Sequence, residues 1–544
     1  MNSLLVAVIG LGLLALGYYV YGAFIERKVW LTDFSKKTPA VLKDDGLDYV
    51  PAKHWTVLFG HHFASIAGAG PIIGPVIACA LFGWGPALFW IIVGSIFIGG
   101  VHDFSALMLS LRHHGATVGQ VAESVLSRRS HLVFSLFLWL ALILIVAVFT
   151  AVTAQTFVSE PRIVLPSFGI LLCAILLGFM LYHWHIKQWL ATLIALGLMI
   201  FFIYLGLLFP LALNLPQAAT VWIVILLVYA FFASILPVNI LLQPRDYLSA
   251  FILFFGLVLG YLGIFVSVPK MHAPVFIGFQ SPQGPLWPMM FVIIACGAIS
   301  GFHSLVSSGT TSKQLPAKPA AKRITFGGMV LEGVLALLAI IAVSAGLHWF
   351  GGPKGLVYPE LIKESGWIVT FGKGFGQIVA PLIGSTVGAI IAMFTLNAFI
   401  LTSLDSATRI ARYITEETFG DALGFKLLKN KYISTLVIVL ISLWLALGSW
   451  TTIWPVFGAA NQLISALVLI LASVYLFQKR QPSAYTFIPA IFMTVTSIGA
   501  LVYEVYIFFR SNNYLLFVIA ALLMALAASM LFEALKILKK KHLT

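Results

Sequence analysis

Apolar residues run in blocks of about 20 along this chain, parted by short polar stretches, from residue 3 to residue 535. A helix needs about 20 such residues to cross the hydrocarbon core of a bilayer. The pattern predicts an all-α polytopic membrane protein of about fifteen transmembrane helices. Their segments are 3–24, 54–82, 86–111, 131–157, 163–184, 187–209, 219–240, 247–268, 287–307, 325–350, 376–403, 432–449, 454–477, 484–509 and 513–535. No loop between them is long enough to bury a core of its own.

The loops test the count. Alternate loops carry 26 and 6 of the 32 Lys and Arg residues. Lys and Arg concentrate in cytoplasmic loops, so the alternation predicts a membrane protein with its N-terminus outside and C-terminus inside. The first apolar run has no positive residue before it and Glu26, Arg27 and Lys28 after it. That order is the reverse of a signal peptide, and predicts a retained first helix.

Composition fits this picture. The chain has 544 residues, 61% hydrophobic and 9% charged, with a mean hydropathy of +1.03. The net charge of +14 reads as positive-inside loops, with no nucleic-acid partner. Cys79, Cys173 and Cys296 lie in apolar runs without metal-ligand spacing, so they are expected to be small core residues.

Chemistry is concentrated where the apolar blocks are interrupted. Gly60 to Pro75 reads GHHFASIAGAGPIIGP. Pro and Gly break a helix there, and a broken helix at membrane depth lines a cavity or is buried in protein. A second interrupted stretch contains Pro237, Asn239, Pro244, Arg245 and Asp246, five segments later. Paired broken helices are the trace of an inverted repeat in transporters. This spacing predicts a core of five plus five helices. The chain then divides into an N-terminal helix and loop (1–53), a first repeat (54–209), a second repeat (219–403), a cytoplasmic loop (404–431) and C-terminal accessory helices with a basic tail (432–544).

Ionisable residues inside a span are costly and mark candidate sites. His61 and His62 in the second segment, and His102 and Asp103 in the third, lie roughly 12–13 Å from the same edge of antiparallel neighbours. Histidine titrates nearest neutral pH. The group reads as a proton site, a substrate ligand or a structural hydrogen-bonded cluster. His303, Ser307 and Ser308 close the ninth segment, where hydroxyls offer oxygen ligands to a cation or pack between helices. Arg245 and Asp246 read as a gate or an anchor. Asp405 is spaced to pair with Arg409 on one helix face. Asn461 and Gln462 read as interhelical glue.

Together HHFASIAGAGPIIGP, LPVNILLQPRDYL, ISGFHSLVSSGTTSK, LTSLDSATR and FGAANQL resemble the carbon starvation protein CstA family, over about residues 55 to 465. The resemblance implies a secondary transporter of the amino acid–polyamine–organocation superfamily with a LeuT-like core. It implies peptides or pyruvate as substrate during nutrient limitation, with proton coupling in some members. It places Ser65, Gly68, Gly70 and Pro71 at an unwound helix that binds substrate, with Asn239 as a further contact. It places Ser307 and Ser308 on the eighth core helix, facing a cation site. His61, His62, His102, Asp103, His303, Arg245, Asp246 and Asp405 are then the proton-coupling or gating set, and Na⁺ is the alternative coupling ion.

No enzyme, cofactor or obligate protein partner is expected. An integral-membrane metalloenzyme would show dense His boxes or HExxH. A channel would show symmetric filter loops or charge rings. A nutrient sensor would carry a signalling domain.

Overall fold

In lipid a backbone can satisfy its own N–H and C=O groups only by forming helix or a closed barrel. The Leu-, Ile-, Val- and Ala-rich runs of this chain form helices. The computed structural model describes residues 2–542 apart from 34, 36, 47, 48, 53, 126, 238–240 and 449. Among these, twelve helices are long and apolar enough to cross a membrane, and thirteen if one bent pair counts as a span. The expected fifteen continuous spans are not all present. The stretch predicted at 287–307 is broken, and the one at 432–449 forms a helix of 16 residues.

The chain starts with α1 (Ser3–Val29) and reaches the bent pair α2 (Trp55–Ile66) and α3 (Gly70–Phe82), which meet at 42°. Ala67 leaves the helical region at ψ 53, and Pro71 sits in the first turn of α3, where its missing N–H costs nothing. Then come α4 (Trp84–Arg112), α5 (Arg128–Ser159), α6 (Val164–Tyr182), α7 (Gln188–Leu208), α8 (Ala218–Ile235) and α9 (Leu242–Ser267). The second break follows. A short α10 (Phe291–Ile293) ends where Ile294 leaves the helical region at ψ 60, and α11 (Gly301–Gly309) starts seven residues later. Beyond it run α12 (Ala321–Gly346), α13 (Tyr358–Ile383), α14 (Ser385–Thr415), α15 (Lys431–Ala446), α16 (Trp450–Gln478), α17 (Ala484–Arg510) and α18 (Tyr514–His542).

Packing identifies the repeat. Helices α4 and α12 lie antiparallel: Gly100 faces Phe326, and Gly333 faces Ser95. The long buried helices α5 and α14 pack together, as do α8 and α15. Helix α9 rests on α2 and α14, and α16 rests on α11 and α5. The two five-helix sets are therefore α2/α3, α4, α5, α8, α9 and α10/α11, α12, α14, α15, α16. The hairpin α6–α7 is inserted into the first set, and α13 into the second.

This packing corrects the expected register. The counterpart of the Gly60–Pro75 break is the unwound stretch 294–300, seven segments on, and not the region of Pro237. The expected repeat 54–209 holds only first-set helices and lacks α8 and α9, which fall in 219–403 together with helices of the second set. The segment predicted at 376–403 joins two helices. Gly384, at φ 80, turns the chain from α13 into α14, with Pro381 before it and Ser385 and Thr386 after it as the signals in the sequence. The stretch 404–431 is accordingly helical as far as Ala422, where a loop is expected.

The two breaks touch. A Cβ on Gly74 would lie 2.5 Å from the Ile293 carbonyl oxygen, and one on Gly297 would lie 3.4 Å from Pro71 Cα. Gly70 is closed in the same way by the Cys296 side chain. Glycine is required here because backbone meets backbone. Gly74→Ala is expected to lower stability by about 1–3 kcal/mol, read as a drop in melting temperature in detergent. Gly12→Ala on α1, where a Cβ meets nothing within 4 Å, is the control and leaves the melting temperature level or slightly raised.

Candidate functional site

Two buried polar networks flank the paired breaks. The first joins α4, α11 and α12. His102 Nδ1 donates to Asp103 Oδ1 at 2.8 Å, and His303 Nδ1 donates to Asp103 Oδ2 at 2.8 Å. His303 Nε2 lies 3.0 Å from Glu332 Oε2. Among the described residues, neither Glu332 oxygen has a hydrogen bond of good geometry. All four residues are fully buried. His303 thus stands between two carboxylates, one on each side of its ring. Nearby on α2, His62 Nδ1 lies 2.8 Å from Thr311 Oγ1.

The second network joins α2, α8, α9 and α14. His61 Nδ1 donates to Asp246 Oδ2 at 2.8 Å, and the Gln314 amide lies 3.4 Å from His61 Nε2. Arg245 Nη2 donates to Asp246 Oδ1 at 2.9 Å. Its Nη1 donates to the Tyr229 hydroxyl at 2.6 Å and forms a close ion pair with Asp405. Tyr229 in turn donates to Asp405 Oδ2 at 2.5 Å. Charge-assisted bonds of this kind are about twice as strong as neutral ones.

At the breaks themselves, hydroxyls from α14 reach the backbone of α2. Thr402 Oγ1 donates to Ala64 O at 2.6 Å and Ser403 Oγ donates to Ser65 O at 3.0 Å. On the other side Asn461 Oδ1 accepts from the Phe302 N–H at 2.9 Å, capping α11, while its Nδ2 reaches Ser300 Oγ at 3.0 Å. Gln462 donates to the Phe291 carbonyl. The expectation of interhelical glue for this pair describes these contacts. Among the described residues, no group of three or more His, Cys, Asp or Glu is arranged to hold a metal ion.

The family model for the carbon starvation protein CstA matches residues 2–349 and 356–500. The chain belongs to the CstA family. It is 33% identical over 519 residues to the peptide transporter CstA of Bacillus subtilis, covering 85% of this chain and 83% of that protein. It is 29% identical over 547 residues to the pyruvate/proton symporter BtsT of Escherichia coli, covering 85% and 76%. Among solved structures, the Eremococcus coleocola manganese transporter superimposes with a TM-score of 0.52 at 13% identity, over 90% of this chain and 99% of that one. That likeness concerns the fold, which is LeuT-like. This family member is a multi-pass membrane transporter and not an enzyme.

The sequence-predicted residues fall into three groups. Ser65, Gly68, Gly70 and Pro71 lie at the first break as expected, and all are buried. His102, Asp103 and His303 come together, whereas His61 turns away to Asp246 and His62 to Thr311. The single layer of His61, His62, His102 and Asp103 is therefore divided, because neighbours on a helix point about 100° apart. Asp405 binds Arg245 and not Arg409, whose guanidinium donates to the carbonyls of Ala233 and Leu236. Asn239 lies outside the described residues.

Ser307 and Ser308 also need correction. They sit on α11, the second broken helix. Ser308 Oγ donates to Ser304 O at 2.7 Å and accepts from Val118 N–H at 3.3 Å, and Ser307 Oγ has no hydrogen-bond partner among the described residues. The hydroxyls that reach the first break from α14 are those of Thr402 and Ser403.

Three members of the networks are absent from the predicted set: Glu332, Tyr229 and Gln314. Glu332 had a signal. It is the one acidic residue in the run 325–350, and the rule that marks Asp103 applies to it equally. Tyr229 carries no such mark in an aromatic-rich chain.

Breaking a buried pair by removing one partner leaves an uncompensated charge and costs about 3–5 kcal/mol. Arg245→Met is expected to lose stability on that scale in thermal unfolding, since it strands Asp246 and Asp405. Adding Asp405→Leu to Arg245→Met is expected to recover part of the loss.

Proposed function

We propose that this chain imports a small carboxylate-bearing substrate, pyruvate or a short peptide, together with a proton, by alternating access. In this reading it lies in the bacterial cytoplasmic membrane with its N-terminus outside, and it works when nutrients are scarce. The carrying observation is the buried row Asp103–His303–Glu332 beside the paired helix breaks. Two carboxylates there face one doubly approached imidazole. Burying an unbalanced charge costs several kcal/mol, so a proton bound to the row completes its neutralisation and its release unbalances it. A site of that kind stores the energy of a proton gradient in helix packing.

The names of the relatives support the substrate class: peptides for one and pyruvate for the other. Both carry a carboxylate. Broken half-helices end in unpaired N–H groups whose dipole favours such a group, which makes Ser65, Gly68, Gly70 and Pro71 the substrate-side residues in this account. The second network, from His61 through Asp246 and Arg245 to Asp405, ties the first half-helix to α9 and α14 and acts as the gate.

Coupling to Na⁺ is the second reading. It is favoured by one observation, the clustering of Thr402 and Ser403 hydroxyls on the Ala64 and Ser65 carbonyls. Hard cations take such oxygens.

Proteoliposomes under separately imposed proton and Na⁺ gradients, with labelled pyruvate or a labelled dipeptide, discriminate these readings. The proton gradient is expected to drive uptake of one of the two substrates. Uptake driven by Na⁺ alone selects the second reading, and no gradient-driven uptake of either substrate rejects both. Asp103→Asn and Glu332→Gln are expected to reduce proton-driven uptake to the level seen without a gradient, while substrate exchange at equal concentrations persists. Unchanged pH dependence in both variants would make the row structural.

A further inference from the structure

A crevice of about 1070 Å³ opens between α1, α2, α9 and α12, away from the helix breaks. Its walls are apolar and aromatic, with Tyr18, Trp55, Phe59, Phe254 and Val334 among them. Helix α12 contributes one continuous stripe, from Arg323 through Gly327 and Val330 to Val334. Eleven residues of helix span roughly 16 Å, which is about one leaflet of a hydrocarbon core roughly 30 Å thick. The crevice therefore has the length of one lipid leaflet.

Its ends differ. Val334 marks the deep, apolar end. The shallow end is cationic and lies on the Lys/Arg-rich side of the protein, next to the connection 310–320 that leads into α12. Arg323 is exposed there, with its guanidinium 5.4 Å from the Trp55 ring centroid. Lys322 lies 4.8 Å from the Tyr18 ring centroid. The carboxylate in this corner is Glu26, 3.9 Å from Lys322. No carboxylate pairs with Arg323 among the described residues, which leaves a cation at headgroup depth over an apolar slot.

We propose that this crevice is a binding site for an anionic phospholipid, with its acyl chains along the α12 stripe and its phosphate on Arg323. Basic pockets between membrane helices bind anionic headgroups, and Trp and Tyr rings sit at the same interface. The site has a consequence for the gate. Gly60 and Tyr247 line the crevice, and each is the immediate neighbour of one partner in the His61–Asp246 contact. A bound lipid rests on α2 and α9 on both sides of that contact and holds the half-helix against its neighbour. The proposal does not depend on which substrate or ion is carried.

Native mass spectrometry of the purified full-length protein, with phosphatidylglycerol or phosphatidylcholine added in detergent, tests it. Phosphatidylglycerol is expected to be retained in preference to phosphatidylcholine. The preference is expected to fall roughly fivefold in Arg323→Ala, the effect of one interfacial cation, and to survive in Arg323→Lys. Arg323 is exposed, so its removal leaves the core intact. Leu331→Trp, which narrows the apolar wall, is expected to lower retention of both lipids. Equal retention of the two lipids by the wild type, or an unchanged preference in Arg323→Ala, would overturn the proposal. So would displacement of the lipid by millimolar inorganic phosphate, which would mark a plain anion site.

Discussion

A charged carboxylate taken out of water is costly unless it is paired, and Asp103, Asp246, Glu332 and Asp405 are all fully buried within this bundle. The rest of the structure answers that constraint. Each carboxylate lies on a helix whose apolar surface would insert into lipid without it. Asp103, Asp246 and Asp405 each bond a residue on another helix, and Glu332 lies 3.0 Å from His303 Nε2. The pairing thus selects which helices meet, at which depth and in which rotation, where lipophilic packing alone is permissive.

Both networks cross between the two five-helix sets. Asp103 belongs to the first set, and its partner His303 and the more distant Glu332 belong to the second. His61, Arg245, Asp246 and Tyr229 belong to the first, and Asp405 to the second. In the proposed mechanism, movement that parts one set from the other breaks these contacts or carries a proton that relieves them. The helix breaks sit between the networks, held by Thr402, Ser403 and Asn461, and closed by glycines that let backbone touch backbone. Charge, unwound backbone and set-to-set contact occupy one layer of the molecule. In the proposed mechanism, that closeness is what links a proton to a substrate.

Much of this was legible in the sequence, for physical reasons that can be named. Apolar run length marks helices because the bilayer demands it. The Gly/Pro cluster at Gly68–Pro75 marks the first break because both residues act on the local backbone. The second break at 294–300 was harder to read. CGAIS holds one glycine and no proline, and its unwinding depends on what packs against it, above all α3 and Asn461. With Pro237 as the more visible irregularity, the repeat was placed two segments short. The turn at Gly384 was hidden for the converse reason. Gly384, at φ 80, reverses the chain with only Pro381, Ser385 and Thr386 to mark it between two long apolar runs. Ionisable residues could be flagged one by one, but their partners could not. Asp405 has Arg409 four residues away and binds Arg245, 160 positions distant, because rotation of α14 is set by its tertiary neighbours.

The central claim is that a proton held by the Asp103–His303–Glu332 row travels with the substrate. Its most direct test is the pH inside proteoliposomes, followed with a trapped dye while an inward gradient of pyruvate or a dipeptide, and no ion gradient, drives transport. The account predicts that the lumen acidifies in step with substrate arrival in the wild type, and that Glu332→Gln admits substrate without acidification. Substrate arrival in the wild type with no change in lumenal pH, or equal acidification in the variant, would contradict it.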